Sequence, residues 1–338
     1  MNNTIVGVDL AKDVIQVCIY TSNKVQSNTE MSRHEFLEWL FKTSSSTVLF
    51  EACGTSNFWT QKAVEAGHDA RLISAKLVSS VRQNQKTDKN DALAIVQASF
   101  IPEISFIKGK TNEQQQLQSI LRLRELAVKQ KTASGNQLKA LLLEFNIRVS
   151  TKNGGLGGAI QSTLEDAQNE LSTAFRAALH AAWQHHLQII KSIATYDRSL
   201  EELVEQHEDC KRLLKLEGVG VINAVNLYIA LGCADLGSFT KGKDASACIG
   251  LTPIQHSTGG KVKLGSIGSY VKNSVLRSQL ITGAMAVVGQ VCKRTAVTSK
   301  DLWIQQLVAR RGKKVAAVAL ANKTVRTAFA MLTLGTEY

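Results

Sequence analysis

Thr4-Ile-Val-Gly-Val-Asp9-Leu-Ala-Lys-Asp13-Val-Ile-Gln-Val-Cys-Ile-Tyr20 contains two β-rich runs, Thr4–Val8 and Val14–Tyr20, split by a short polar connection. It reads as strand, tight connection, strand, with Asp9 at the end of an otherwise apolar strand. An ionised carboxylate there costs free energy unless it is paired or bound to metal. Working outward, Ser46–Phe50 is another buried-type strand, and it too ends in an acid, Glu51. Ser56–Ala66 has helical periodicity and stops at Gly67. A short strand at Arg71–Ile73 and a helix at Lys76–Gln83 follow. Thr87-Asp88-Lys-Asn-Asp91 then opens a helix running to about Phe100, with Thr87 as N-cap. Asp88 and Asp91, three apart, project from one face of it. Residues 1–108 are thereby expected to form an α/β domain.

From Asn112 to about Phe145 the chain is polar and helical, with Leu117, Leu121 and Val128 roughly on one face. After the glycine-rich Asn153-Gly-Gly-Leu-Gly-Gly158, one longer helix is expected from Ala159 to His207. Its apolar Ile160, Leu164, Leu171, Leu179, Ile190 and Leu200 recur at spacings compatible with a helical seam. Residues 109–208 read as an antiparallel coiled-coil arm hinged at the glycines, for dimerisation or for spanning a substrate. Residues 209–338 are expected to be mostly helical. They open with a helix, a Gly218-Val-Gly220 hairpin and a second helix, then a loop-rich stretch from Gly232 to Ser269. Helices at Ser269–Val288 and Trp303–Leu334 close the chain. The Gly-x-Gly hairpin has two readings: a helix-hairpin-helix whose amides at Gly218 and Gly220 grip phosphate, or an ordinary helix–helix turn.

Composition narrows the partner. The 338 residues are 44% hydrophobic with only two prolines, as in a helix-rich globular protein. No apolar run of the roughly 20 residues needed to span a bilayer is expected, and Asp9 interrupts the only early apolar stretch, so no signal peptide is read. Six cysteines without C-x-x-C spacing indicate neither zinc nor a disulfide framework, and a reducing cytosol fits best. The formal charge of +12 is unevenly placed. Residues 211–338 carry 18 Lys+Arg against 5 Asp+Glu, whereas residues 1–210 carry 22 against 23. An excess confined to the last third suits a polyanion such as nucleic acid.

The acids arrive in the order Asp…Glu…Asp-x-x-Asp, each tied to a strand end or a helix face. Carboxylates from separate elements suit magnesium, with manganese as a substitute, and two such ions can assist phosphodiester cleavage. A sugar-kinase ATPase also begins with a strand Asp, but it needs further glycine-rich phosphate loops and has no use for a basic C-terminal third. His68-x-x-Arg71 mimics a tyrosine-recombinase motif, yet the next tyrosine, Tyr196, is far too distant.

Three phrases carry a resemblance: Gly7-Val-Asp9-Leu-Ala-Lys12, Phe50-Glu51-Ala-Cys-Gly54 and Lys86-Thr-Asp88-Lys-Asn-Asp91-Ala92. They resemble the DEDD transposases of IS110-type insertion sequences, whose relatives include the pilin-gene invertase Piv. The layout of acids also resembles the ribonuclease H-like fold of the Holliday-junction resolvase RuvC. The resemblance implies that Asp9, Glu51, Asp88 and Asp91 are the catalytic, metal-binding quartet. It extends to Ile249-Gly-Leu-Thr-Pro253-Ile-Gln-His256-Ser257-Thr-Gly259-Gly260, to Leu264–Arg277 and to Arg310–Ala321. By that likeness Ser257 is a nucleophile attacking a DNA phosphate, although the family serine is usually followed directly by glycine and Thr258 intervenes here. A serine hydroxyl needs activation, and Lys261, Lys263 and Arg277 could offset charge developing on the phosphorus. These three, with Gly218, Gly220, Arg310, Arg311, Lys313 and Lys314, are the candidate nucleic-acid contacts. His256 is set aside because adjacent residues of an extended chain point apart.

The implied function is recombination of double-stranded DNA at element ends and target, by a bacterial-type cytoplasmic homodimer or homotetramer with its active site composed across subunits. A noncoding guide RNA is a further partner implied by kinship. A metal-dependent junction resolvase using water, and a non-enzymatic nucleic-acid-binding protein, are the alternatives.

Overall fold

The computed structural model describes residues 4–104, 106–107, 109–233, 239–268 and 274–338. They form two compact units: Met1–Gln115 together with Asp209–Tyr338, and Gln116–Glu208.

The first unit begins with a mixed five-stranded sheet. β1 (Ile5–Leu10), β2 (Val14–Thr21) and β3 (Lys24–Ser32) form an antiparallel meander. β4 (Thr47–Glu51) and β5 (Asp69–Ile73) add in parallel on the other side of β1, giving the order β3-β2-β1-β4-β5. α1 (Arg33–Lys42) and α2 (Ser56–Glu65) cover one face, while α3 (Ala75–Val81) and α4 (Asp88–Ala98) cover the other. Strand alternation sorts the side chains between them. Val6, Val8, Val48 and Phe50 pack with Phe36, Leu40 and Trp59, whereas Leu49 packs with Val78, Ala94 and Ile95. The same alternation puts Gly7, Asp9 and Glu51 on the α3/α4 face. β3 and α1 match no expected element. The strand is mostly exposed and polar, so it shows no apolar alternation, and the helix is announced only by a Ser32–Glu35 capping box.

In the second unit, α5 (Asn112–Glu144) and α7 (Thr173–Glu205) run antiparallel, since Arg124 pairs with Asp197 and Ser134 with His186. The single helix expected from Ala159 to His207 is in fact two. α6 (Gly155–Glu165) ends, and α7 restarts after Ser172, whose hydroxyl accepts the Phe175 N–H at 3.2 Å. Arg176 accounts for the break: its guanidinium donates to the carbonyls of Thr163, Leu164 and Asp166, which a continuous helix would have used itself. The glycines at 154–158 lead into α6 rather than forming the turn of a helical hairpin. The seam is also displaced by one residue in places. Ile189 and Ala127 are buried, while the expected Ile190 and Val128 are exposed.

The rest of the first unit is mostly helical. α8 (Glu208–Leu214) and α9 (Val221–Leu227) flank Gly218–Gly220, and α9 continues into a π-helical turn at Tyr228–Cys233. The stretch expected to be loop contains α10 (Gly242–Cys248) and a hairpin of β6 (Pro253–Thr258) and β7 (Lys261–Ile267). α11 (Ser274–Val291) follows, and residues 269–273, the expected start of that helix, lie outside the described residues. The expected final helix is two, α12 (Ser299–Arg311) and α13 (Lys313–Leu334), interrupted at Gly312 with φ 82° and ψ 166°. Contrary to the composition-based expectation, α13 is long and apolar enough to cross a membrane, with mean hydropathy 1.2. Half of that stretch is buried in the fold, where Ala317, Leu320 and Val325 make it a core helix.

Candidate active site

The site is built where α4 crosses β1. A Cβ on residue 7 would stand 2.3 Å from the Ala92 carbonyl oxygen and 2.7 Å from Val96 Cγ2, so only glycine lets the helix lie directly on the strand. Ala92 adjoins Asp91, and Asp9 lies two residues beyond Gly7 on the same face. The close approach thus carries the helix's acids to the strand's acid. Thr87 sets where the helix begins, its hydroxyl accepting the Asn90 N–H at 3.3 Å, which leaves Asp88 and Asp91 in the first turn. That turn is tied to the sheet by a chain the sequence did not suggest. Gln16, opposite Asp9 in the β1–β2 register, donates to Asn28 Oδ1 at 2.8 Å, and Asn28 donates to the Lys89 carbonyl at 2.9 Å. Only the strand register singles these two amides out.

Asp9, Glu51, Asp88 and Asp91 all line one cleft of about 430 Å³, together with Ser79, Arg82 and Lys86. Four carboxylates there meet two cations. Burial, then the charges of Asp91, Asp88 and Glu51, push Asp9 up to about 6 against a smaller downward pull from the Leu10 N–H. Burial and Asp91 also raise Glu51, opposed by Lys86 and Arg82. Asp91 is nearly buried and accepts from the Arg82 guanidinium at 2.7 Å. Arg82 and Lys86 were not among the residues expected here. Their signal was position alone, just ahead of the Thr87 cap.

One feature fits these residues to a divalent cation: a cluster of four hard-oxygen acids that only two cations offset. Among the described residues no group of three or more His, Cys, Asp or Glu side chains is arranged to hold a metal ion. Asp91 is instead engaged by Arg82.

Ser257 lies in strand β6 rather than in the loop expected for it. A two-residue turn, Gly259-Gly260, with φ 55° and 77°, closes the hairpin as right-handed strand twist requires. Ser257 pairs with Val262, His256 with Lys263 and Thr258 with Lys261. Paired residues share a face and neighbours alternate, so Lys261 and Lys263 lie with Thr258 and His256 on the face opposite Ser257. Arg277 pins the base of the hairpin, donating to the carbonyls of Gly250 at 3.0 Å and Ile267 at 3.5 Å. Arg310 and Arg311 end α12, and Lys313 and Lys314 begin α13, all four exposed. Gly218 lies against Gly283 of α11, where a Cβ would meet that carbonyl oxygen at 2.8 Å, while Gly220 is exposed at the start of α9. The structure therefore assembles the four acids, and Ser257 lines no part of their cleft.

Comparison with known proteins bears on both halves. Residues 6–147, which include the four acids, match a transposase family model of the IS110 DEDD type. Residues 210–297, which include Ser257, match the model of the transposase IS116/IS110/IS902 family. The chain is 34% identical to the transposase for insertion sequence element IS1111A of Coxiella burnetii, over 99% of this chain and 91% of that one. It is 34% identical to a probable family 20 transposase of Pseudomonas aeruginosa, over 100% and 99% of the two chains. A pilin gene-inverting protein of Moraxella bovis is 22% identical over 85% of this chain and 84% of its own. Two family matches and full-length likeness to transposases show that the chain belongs to the IS110-type DEDD transposases, enzymes that cut and rejoin DNA.

Proposed function

We propose that this transposase works through a ribonuclease H-like domain over residues 1–108, an arm over 109–208 and a serine-bearing part over 209–338. In this reading Asp9, Glu51, Asp88 and Asp91 hold magnesium, or manganese in its place, and Ser257 is the nucleophile. The observation that carries it is the convergence of four acids from two strands and one helix on a single cleft, at a free-energy cost visible in the raised Asp9. Divalent metal bound there would supply charge neutralisation at the reacting phosphate. The Ser257 Oγ forms a bond to phosphorus and gives its proton to solvent or to a neighbouring base, while the phosphorus–oxygen bond to the deoxyribose breaks and the departing oxygen takes up a proton from solvent. Arg82 and Lys86 temper the repulsion among the acids. Double-stranded DNA at element ends and target is the substrate. A homodimer or homotetramer in the bacterial cytoplasm, with a noncoding guide RNA, completes the proposal.

Transposition is favoured over inversion by the greater likeness to the insertion-sequence relatives than to the pilin gene-inverting protein. One observation favours a second reading, a resolvase that uses water: the cleft is lined only by residues 9 to 91. Denaturing electrophoresis of the protein with labelled element-end DNA separates the two. A covalent adduct that Ser257→Ala abolishes supports the serine route, whereas free nicks that survive Ser257→Ala overturn it.

A further inference from the structure

A second cleft, of about 1520 Å³, runs along α13 and is bordered by α10, α11 and α12. Six cations line it: Lys241, Lys243, Arg277, Lys314, Lys323 and Arg326, with no Asp or Glu among its lining residues. Arg277 is occupied by backbone carbonyls. Among the described residues the other five have no ion-pair partner. The floor is apolar, with buried Leu251 and part-buried Val318, Ala319 and Ala330. On its wall Trp303 is half-buried, with Lys323 Nζ 5.2 Å from its ring centroid.

A merely solvated basic face has no reason to be concave and apolar at its bottom. Like charges facing one another across a groove repel, and a polyanion relieves that repulsion. Paired DNA brings only phosphates to such a rim, because its bases are stacked inside and cannot reach the floor. An unpaired strand brings both: phosphates for the rim and flat ring faces for the indole and the aliphatic floor. Cutting and rejoining DNA requires strands to leave one partner for another, so unpaired nucleotides exist during the reaction of this enzyme.

We propose that the α10–α13 cleft holds an unpaired strand of the DNA substrate, its phosphates on Lys241, Lys243, Lys323 and Arg326 and a base stacked on Trp303. This assignment is independent of the roles of Ser257 and of the acidic quartet. The probes are a labelled single-stranded DNA, a single-stranded RNA of the same sequence, and their duplex DNA counterpart, titrated into the full chain at 0.15 M salt, the salt being about physiological. Fluorescence anisotropy of Lys323→Gln/Arg326→Gln is expected to show about tenfold weaker binding of a single strand and less than twofold weaker binding of duplex. Trp303 emission, taken as the difference between wild type and Trp303→Phe, is expected to be quenched by the single strand. Tighter binding of the single-stranded DNA than of its duplex supports the proposal, and binding of the RNA in preference to the DNA strand overturns it. Equal losses for single strand and duplex overturn the proposal. So does Trp303 emission that responds to an acidic peptide and not to oligonucleotides. The quenching arm uses the unaltered basic rim, so the test stands even if the double variant folds poorly.

Discussion

The acidic cleft and the serine hairpin belong to one enzyme but are built on opposite principles. The acids stand on a scaffold packed on both sides: Val6, Val8, Val48 and Phe50 are fully buried below the sheet, and Ala92, Ile95 and Val96 fully buried above it. Charge that would rather be in water is held there by apolar packing and by the Gln16–Asn28–Lys89 tether. The hairpin packs almost nothing. Val262 and Leu264 are 61% and 64% exposed, and β7 is exposed from end to end. An isolated two-stranded hairpin is marginal in water, so its geometry depends on what it meets. One half is pre-organised at a cost in stability; the other is exposed, held at its base by Arg277, and cheap to change.

The comparison can be broken most sharply at Gly7. Gly7→Val must displace α4, because its Cβ would start 2.3 Å from the Ala92 carbonyl oxygen. A loss of about 3 kcal/mol in urea unfolding and of all measurable strand cleavage is expected. Unchanged cleavage would mean that the helix acids need not meet Asp9.

Arg82→Gln is the next largest effect. It leaves Asp91 nearly buried without its partner, and without divalent metal it should destabilise by about 2 kcal/mol. Magnesium should restore much of the loss, and thermal melts with and without the ion would show this.

Asp9→Asn sharpens the comparison from the other side. The Asp9 carboxyl titrates at about 6 in the folded chain against an ordinary 3.8. The folded state therefore keeps the extra proton between those values. Its favourable contribution is complete below 3.8 and is lost as pH rises through 6. The unsubstituted, metal-free protein should weaken over that window, and Asp9→Asn should abolish that decline. At neutral pH the variant should be more stable by about 1 kcal/mol, a figure reduced for solvent screening, while cleavage is lost. Denaturant melts from pH 4 to pH 7, a range set by that pKa window, are the measurement.

The smallest effect belongs to the hairpin. Leu264→Ser should change stability by less than about 0.5 kcal/mol, since the side chain is exposed, while any fall in DNA joining would report a lost contact with a partner. A large drop in melting temperature would instead show that the hairpin is packed in the free chain.

Much of the acidic half was legible in the residues. Asp9 and Glu51 each close an apolar run, and Thr87 announces a cap with two acids in the turn behind it. β3 and α1 were not legible, because a polar edge strand has no buried face to impose a period of two. The long helix of the arm was read as continuous because its periodicity does not falter. The break lies in Arg176, whose guanidinium rewards a bent chain only once both helix ends are near it. The hairpin was hidden for a related reason. With both faces exposed, Pro253–Thr258 carries little alternation, the Lys261-Val-Lys-Leu264 alternation of its partner is only four residues long, and the Gly259-Gly260 pair is the one local sign of a turn.

Local chemistry, then, sufficed to say which carboxylates are costly, where α4 starts and that the last third seeks a polyanion. Period, capping and net charge are properties of neighbouring residues and survive without a fold. Which cations sit among the acids, which face of the hairpin Ser257 shares, and that Lys241 and Arg326 line one cleft were decided only by tertiary structure. Those are distances between segments far apart in the chain, and they exist only after packing has chosen one arrangement.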